Sequence, residues 1–335
     1  MQKRLAFGIA AAVLSISLSA CGGGSGSSGA LTAVPKAPPP APEVLPTAVS
    51  GTTASSVAIG TQSPYVRVNP DGTTLHVYPL PEVRNAFAAR GAAASGNVNY
   101  HGGKVIDNSV TYAIFWVPPG YSVSAKYEPV IEQFFHDVGN TGAYRILTQY
   151  YDKDGSPLNA SSLGGAWVDT RPFPSTMNDS VVRQEVLHAI SVNGWPKGGI
   201  APIFFVFTAS KAKVSFAYCA YHGNFPSNGN QVIYSIVPYQ RDLGPHGCGT
   251  PSKVFPNDQD ADLTIDTLWH ELGESVSDPV DAWYRNSDGQ EIGDICSSAY
   301  GPLRKDGSDV TLNGHDYVTQ QLYSNHGSEC EQTYE

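Results

Sequence analysis

The period of apolar positions changes several times along the chain, and each change marks an element. Residues 5–18 form a short, mainly apolar run behind Lys3 and Arg4. Residues 73–78 read as one strand and lead into an Ala-rich stretch. Residues 110–117 (VTYAIFWV) are apolar at odd and even positions alike, the mark of a strand buried on both faces, and Pro118-Pro119-Gly120 ends it. Tyr127, Val130, Ile131, Phe134, Phe135 and Val138 recur at helical spacing until Gly139. Val181, Val182, Val186, Leu187 and Ile190 predict a second helix, capped by Asn178 or Asp179 and closed by Gly194. A short strand is expected near Ala166-Trp167-Val168, and three more at 203–208, 214–221 and 231–237. Leu263, Leu268, Trp269, Leu272 and Val276 predict a third helix. Asp258, Asp260 and Asp262 lie at its start, where the helix dipole favours acids; the glycine and closing Glu of a calcium-binding EF-hand loop are missing. After Pro279 the tail is irregular, with one strand expected at 317–323. This order predicts a single α/β (α+β) domain over 99–335, with a smaller irregular C-terminal part.

The beginning of the chain has a different character. Residues 1–20 combine a basic start, an apolar middle and small residues before Cys21, the pattern of a signal peptide. Leu18-Ser19-Ala20-Cys21 resembles the bacterial lipobox, so Cys21 is the expected site of lipidation. The stretch 21–63 is rich in Gly, Ser, Pro and Ala and reads as a tether; 64–98 reads as an N-terminal extension. The expected location is the cell envelope after export, at the outer membrane or cell surface, with the lipid as the only membrane contact. Gly22 after Cys21 is not the Asp that retains lipoproteins at the inner membrane.

Among 335 residues, 41% are hydrophobic and only 15% are charged, against roughly 25% in an ordinary soluble protein. Lys+Arg 20 against Asp+Glu 30 gives a net charge of -10, which argues against nucleic acid as a partner. Beyond Cys21 the cysteines are Cys219, Cys248, Cys296 and Cys330. An even number in an oxidising compartment predicts two disulfides; pairing neighbours in sequence gives Cys219–Cys248 and Cys296–Cys330. No Cys-x-x-Cys spacing supports a four-cysteine zinc site.

The chemistry concentrates in the third helix, at His270-Glu271-Leu272-Gly273-Glu274. Residues four apart share a helix face, so His270 and Glu274 can reach one metal ion, and Asp278 follows a turn later. Glu271 stands about 100° round the helix, placed to act as general base towards water. This is the spacing of His-Glu-x-x-His zinc hydrolases with Glu in place of the second His. The third ligand is expected downstream: Asp294, with Glu291 as the alternative. Metzincin ligation is excluded, because Val280 stands where its third His would be and no methionine follows Met177. His222 and His246 are outside candidates for the third ligand, expected rather at the surface or in loops. One His with two carboxylates weakens the Lewis acidity of a bound ion and broadens the choice of metal. One divalent ion is expected, zinc first, calcium or manganese as alternatives. Gly273 is costly inside a helix, by about 1 kcal/mol against Ala, unless something packs closely against it.

The order His270-Glu271-Leu272-Gly273-Glu274, Ser277-Asp278-Pro279, Ala282-Trp283-Tyr284, Glu291-Ile292-Gly293-Asp294-Ile295-Cys296 and Tyr300-Gly301 resembles the EXORDIUM-like, or phosphate-induced protein, family. Tyr100-His101-Gly102-Gly103, Tyr218-Cys219-Ala220-Tyr221-His222-Gly223 and Gly314-His315-Asp316-Tyr317-Val318-Thr319-Gln320 resemble its opening, central and closing segments, so the likeness spans about 100–332. It implies an extracellular or wall-associated protein. The element order is also similar to a zincin core, where a ligand-bearing helix lies under a mixed sheet whose edge strand receives an extended peptide. The expected function is therefore a cell-surface lipoprotein acting as a metal-dependent peptidase or related hydrolase on an extended peptide. The alternative is a non-catalytic module on the same scaffold that binds a cell-wall or other extracellular polymer.

Overall fold

The computed structural model describes residues 63–89 and 96–335. The expected signal peptide, Cys21 and the tether up to 62 lie outside the described residues, as does the Ala92–Ser95 stretch. No helix among the described residues is long and apolar enough to cross a membrane.

Seven strands form one mixed sheet: β1 (Val66–Val68), β2 (Thr74–Tyr78), β3 (Ser109–Trp116), β4 (Ser161–Asp169), β5 (Pro202–Thr208), β6 (Ala220–Ser227) and β7 (Asn230–Val237). Their spatial order is β1-β2-β6-β7-β5-β3-β4. β4, β3, β5 and β7 run parallel, and β6, β2 and β1 follow, each antiparallel to the strand before it. The fold is α+β, as the element order predicts. β3 and β5 carry near-continuous apolar runs because both faces are covered. β4, at the edge, alternates half-buried and exposed positions instead.

Helices cover both faces. Tyr127–Asp137 (α2) and Gln259–Ser277 (α4) lie against Ala113, Phe115, Phe205 and Phe207 on one side. Asp179–Asn193 (α3) packs on Tyr112, Ile114, Phe204 and Val206 on the other. α3 begins at Asn178, whose side chain accepts from the Val181 amide, and ends at left-handed Gly194 (φ 65°). Both disulfides, Cys219–Cys248 and Cys296–Cys330, are formed.

Three expectations need correction. The strand expected at 214–221 starts at Ala220 and continues to Ser227. Val214 makes only an isolated bridge to Met177, and the Asn228-Gly229 loop, with φ 50° and 81°, turns the chain directly into β7. Two residues of positive φ are the requirement of a type I′ hairpin, and Asn-Gly is its strongest signal. The 317–323 strand is split into His315–Tyr317 and Leu322–Ser324. Between them the Thr319 and Gln320 amides donate to Asp309 and Asp266 rather than to a ladder. Finally, 64–98 is not separate from the domain: it supplies β1, β2 and the helix Pro81–Ala89 (α1), and β2 pairs along β6.

Candidate metal centre

α4 is capped by the Asp258 side chain, which accepts from the amides of Asp260 and Ala261. Every residue from Ala261 to Ser277 is buried, so its polar side chains must find partners inside the protein. Asp266 accepts from Thr250 Oγ1 (2.7 Å), Tyr300 Oη (2.8 Å) and the Gln320 amide (2.7 Å). The Gln320 side chain donates from Nε2 to the Gly293 carbonyl at 2.8 Å, which turns its Oε1 to within 3.2 Å of His270 Nδ1. An amide oxygen only accepts, so Nδ1 carries the imidazole proton and Nε2 presents a lone pair. That lone pair faces Glu274 Oε2 at 3.1 Å and Asp294 Oδ1 at 3.6 Å. Three lone-pair donors converging in a dry interior repel one another unless a cation or a proton lies between them.

The carboxylates are positioned by the short helix Ile292–Ile295 (α5). Glu274 Oε1 accepts from the amides of Gly293 (3.1 Å) and Asp294 (3.0 Å), leaving Oε2 free. Asp294 Oδ2 accepts from the Glu291 amide, leaving Oδ1 without a partner. Gly293 is required by contact: a Cβ there would stand 2.7 Å from His270 Nδ1 and 2.8 Å from Glu274 Oε1. Gly273 is explained in the same way, since a Cβ would meet Leu322 Cδ1 at 2.7 Å. Donor atoms of His270, Glu274 and Asp294 lie within 4.8 Å of one another.

The other expected residues stand around this group with different partners. Glu271 Oε2 is 3.3 Å from His222 Nδ1, and its Oε1 is unpartnered. Glu291 turns away from His270, towards His76 Nδ1 at 2.9 Å and His222 Nε2 at 3.7 Å. Asp278 accepts from the Ala282 amide and faces His76 at 3.8 Å. His246 stays in a loop, with Nδ1 3.1 Å from the Thr250 carbonyl.

His222 is a correction. It is fully buried and central to the cluster, not at the surface. Once Asn228-Gly229 is read as a two-residue hairpin turn, β6 extends back through position 222, and that signal was present in the sequence. His76, from the supposed extension, sits directly opposite His222 in the β2–β6 register, with the rings stacked at 4.9 Å. Nothing local in the sequence marks that long-range pairing. The same strand roofs His270: Tyr78 stacks on its ring at 3.7 Å, and Arg84 lies 4.5 Å over Tyr78 while donating to the Cys248 carbonyl.

Among the described residues, the ion-pair partners of Glu271, Glu274, Asp278, Glu291 and Asp294 are the imidazoles of His76, His222 and His270 alone; no Lys or Arg joins them. Burial pushes Glu271 well above the carboxylate range, and the Glu274 and Glu291 charges add to it. Burial and Glu274 do the same to Asp294. Burial lifts Glu291 well up against the opposing pull of His76, and also raises Asp278. Burial pushes Glu274 up to about 8, although the Asp294 and Gly293 amides oppose it. Burial drives His270 down to about 4 and, together with His76, His222 well below its ordinary value. Burial opposes charging of His76 too, but Glu291 and Asp281 outweigh it and hold that group high. Each unneutralised buried carboxylate costs several kcal/mol, so this donor set fits a cation.

Comparison with protein-family models, with characterised proteins and with solved structures finds no match for this chain. Two disulfide-linked pairs point to an oxidising environment. The residues themselves therefore carry any statement of function.

Proposed function

We propose that this protein is a metal-dependent hydrolase of extended peptides, working at the cell envelope through a lipid on Cys21. His270, Glu274 and Asp294 hold one divalent cation, zinc by preference, and Glu271 is the general base. The observation that carries the reading is the His270 Nε2 lone pair aimed at two free carboxylate oxygens, with its tautomer set by Gln320. When bound, the cation supplies Lewis acidity towards a carbonyl and lowers the pKa of water. The chain's own groups do the rest. Glu274 is anchored through Oε1 by two backbone amides, so its Oε2 keeps a fixed aim. Glu271, lifted by burial well above the ordinary carboxylate range, is suited to taking and returning a proton. His222 Nδ1 holds Glu271 in orientation at 3.3 Å.

A helix under a mixed sheet with an antiparallel strand at the parallel set's edge supports the zincin-like reading. The edge of β6, where a peptide would add as a strand, is taken by β2 of the same chain. His270, Glu271, Glu274 and Asp294 are at most 3% exposed, so substrate reaches them only when a covering element moves; β2, whose Tyr78 stacks on His270, is one such cover. That closure favours the second reading, a non-catalytic envelope module that uses the cation to hold its core.

One pair of measurements separates them. Wild-type protein with a full complement of metal is expected to cleave members of a broad peptide library, and Glu271→Gln to keep the metal while losing turnover by a factor of 100 or more, on the order of what a general base contributes. Metal-loaded wild type that cleaves nothing removes the hydrolase and leaves the binding module.

A further inference from the structure

His76, His222 and Glu291 form a second group of donors beside the first. His76 and His222 are cross-strand partners on β2 and β6, and their rings stack at 4.9 Å with 13° between planes. Glu291 reaches them from the N-terminal side of α5: Oε2 lies 2.9 Å from His76 Nδ1, and Oε1 lies 3.7 Å from His222 Nε2. All three side chains are buried. Yet His76 Nδ1, His222 Nε2 and both Glu291 oxygens have no partner in hydrogen-bond geometry. One donor atom from each residue falls within 4.8 Å of the others.

An ordinary ion pair does not account for this. A proton on His76 serves Glu291 Oε2 alone and leaves His222 Nε2 and Glu291 Oε1 unsatisfied. Protonating His222 as well puts two stacked imidazolium rings face to face in a dry site. A divalent cation satisfies every orphan atom at once. Charge points the same way: a cation at His270 offsets the charges of Glu274 and Asp294, and Glu271, Asp278 and Glu291 remain with no Lys or Arg beside them.

We propose that His76, His222 and Glu291 bind a second divalent cation next to the one held by His270, Glu274 and Asp294. The two sites are linked by Glu271, whose carboxylate lies with His222 and Glu274 in a further group of donors within 4.8 Å. Two imidazoles and a carboxylate suit zinc, manganese or iron(II). Because His76 stands on β2, this cation ties the N-terminal hairpin down over the first centre. The proposal needs no hydrolysis by that centre.

The test is elemental analysis of the full chain loaded with zinc, together with an anomalous difference map from its crystals at the zinc edge. The expected result is about two zinc ions per chain, as in two-metal centres generally. His76→Ala and His270→Ala should each lose one ion and keep the other. Wild type holding a single ion that survives His76→Ala and is lost in His270→Ala overturns the second site and leaves the first. A wild type that binds no zinc, manganese or iron overturns both. Should His76→Ala fail to fold, the wild-type map decides: a peak between His76, His222 and Glu291 supports the site, and none there overturns it.

Discussion

Gln320 Oε1 sits 3.2 Å from His270 Nδ1, and the contacts that hold it there leave the imidazole out: its amide donates to Asp266, and its Nε2 to the Gly293 and Gln321 carbonyls. A side chain from the irregular tail therefore sets which nitrogen of His270 is free to bind. Outer partners of this kind typically contribute 10–100-fold to metal affinity. Gln320→Leu keeps the volume and removes the acceptor, so about 10–100-fold weaker cation binding is expected in competition with a chromophoric chelator. Unchanged affinity would show that His270 finds its tautomer without Gln320.

Removing the cation should invert the usual acid sensitivity. Glu274 has its pKa raised from 4.5 to about 8 in the folded chain, so the native state holds a proton there that the unfolded state releases. More protons on the native side mean that stability falls as pH rises. For this one group the loss runs from about pH 4.5 to pH 8, at up to about 1.4 kcal/mol per pH unit. Glu271, Glu291 and Asp294 are shifted in the same direction and add to it. Protons and the cation compete for the same oxygens, so metal binding strengthens over the same window. Thermal unfolding in EDTA is expected to show a melting temperature that drops from pH 5 to pH 8, with the gap to metal-loaded protein widening. An apo protein that becomes more stable over this range would contradict the raised carboxyls.

Most of the scaffold was legible from periodicity, because β3, β5, β7, α2 and α3 each satisfy a local rule: two-sided burial for the strands, one apolar face and a cap for the helices. The ligand pair on α4 was legible for the same reason, as His270 and Glu274 are four residues apart on one helix. The third donor, Asp294, depends on α5 folding back so that its amides bond Glu274, a contact twenty residues away that was expected from spacing alone. His222 was missed by placing β6 too early. His76 lay beyond reach of any local pattern, because its partner is 146 residues distant and the pairing exists only in the β2–β6 register. The total burial of α4 was also hidden. Its polar positions look like a solvent face until Gln320, Tyr300 and Thr250 arrive from elsewhere to satisfy them.

Gly293→Ala tests how tightly the centre is built. Its added methyl would stand 2.7 Å from His270 Nδ1 and 2.8 Å from Glu274 Oε1, closer than real contacts allow. Both neighbours are fixed, His270 by Gln320 and Glu274 by the very amide of residue 293. Relief must come from moving α5, which carries Asp294. Overpacking of this sort costs about 1–3 kcal/mol. The expected result is a chain that folds with lowered stability and loses cation affinity out of proportion. Gly314→Ala, where a Cβ meets nothing within 4 Å but φ is 95°, strains the backbone away from the centre, so it should lower stability and leave affinity unchanged; a loss of affinity shared by both variants would point to general damage.

The Cys296–Cys330 disulfide closes a loop of 34 residues that begins just after α5 and contains Gln320. Gln320 is thus held inside the covalent ring and Asp294 stands two residues before its first cysteine, so breaking the ring should act on the centre as well as on stability. Loss of a native disulfide typically costs about 2–5 kcal/mol. The Cys296→Ser, Cys330→Ser double variant is expected to melt earlier and to bind the cation more weakly. Adding saturating zinc should recover part of the lost stability, because a ligand that binds only the native state stabilises it by mass action. The Cys219→Ser, Cys248→Ser variant loosens a different part, the loop whose Cys248 carbonyl accepts from Arg84 above Tyr78. It should leave the affinity of the His270 group near wild type while making 63–89 easier to cut with protease. Equal loss of affinity in the two double variants would show that general destabilisation, rather than the position of Asp294 and Gln320, controls the site.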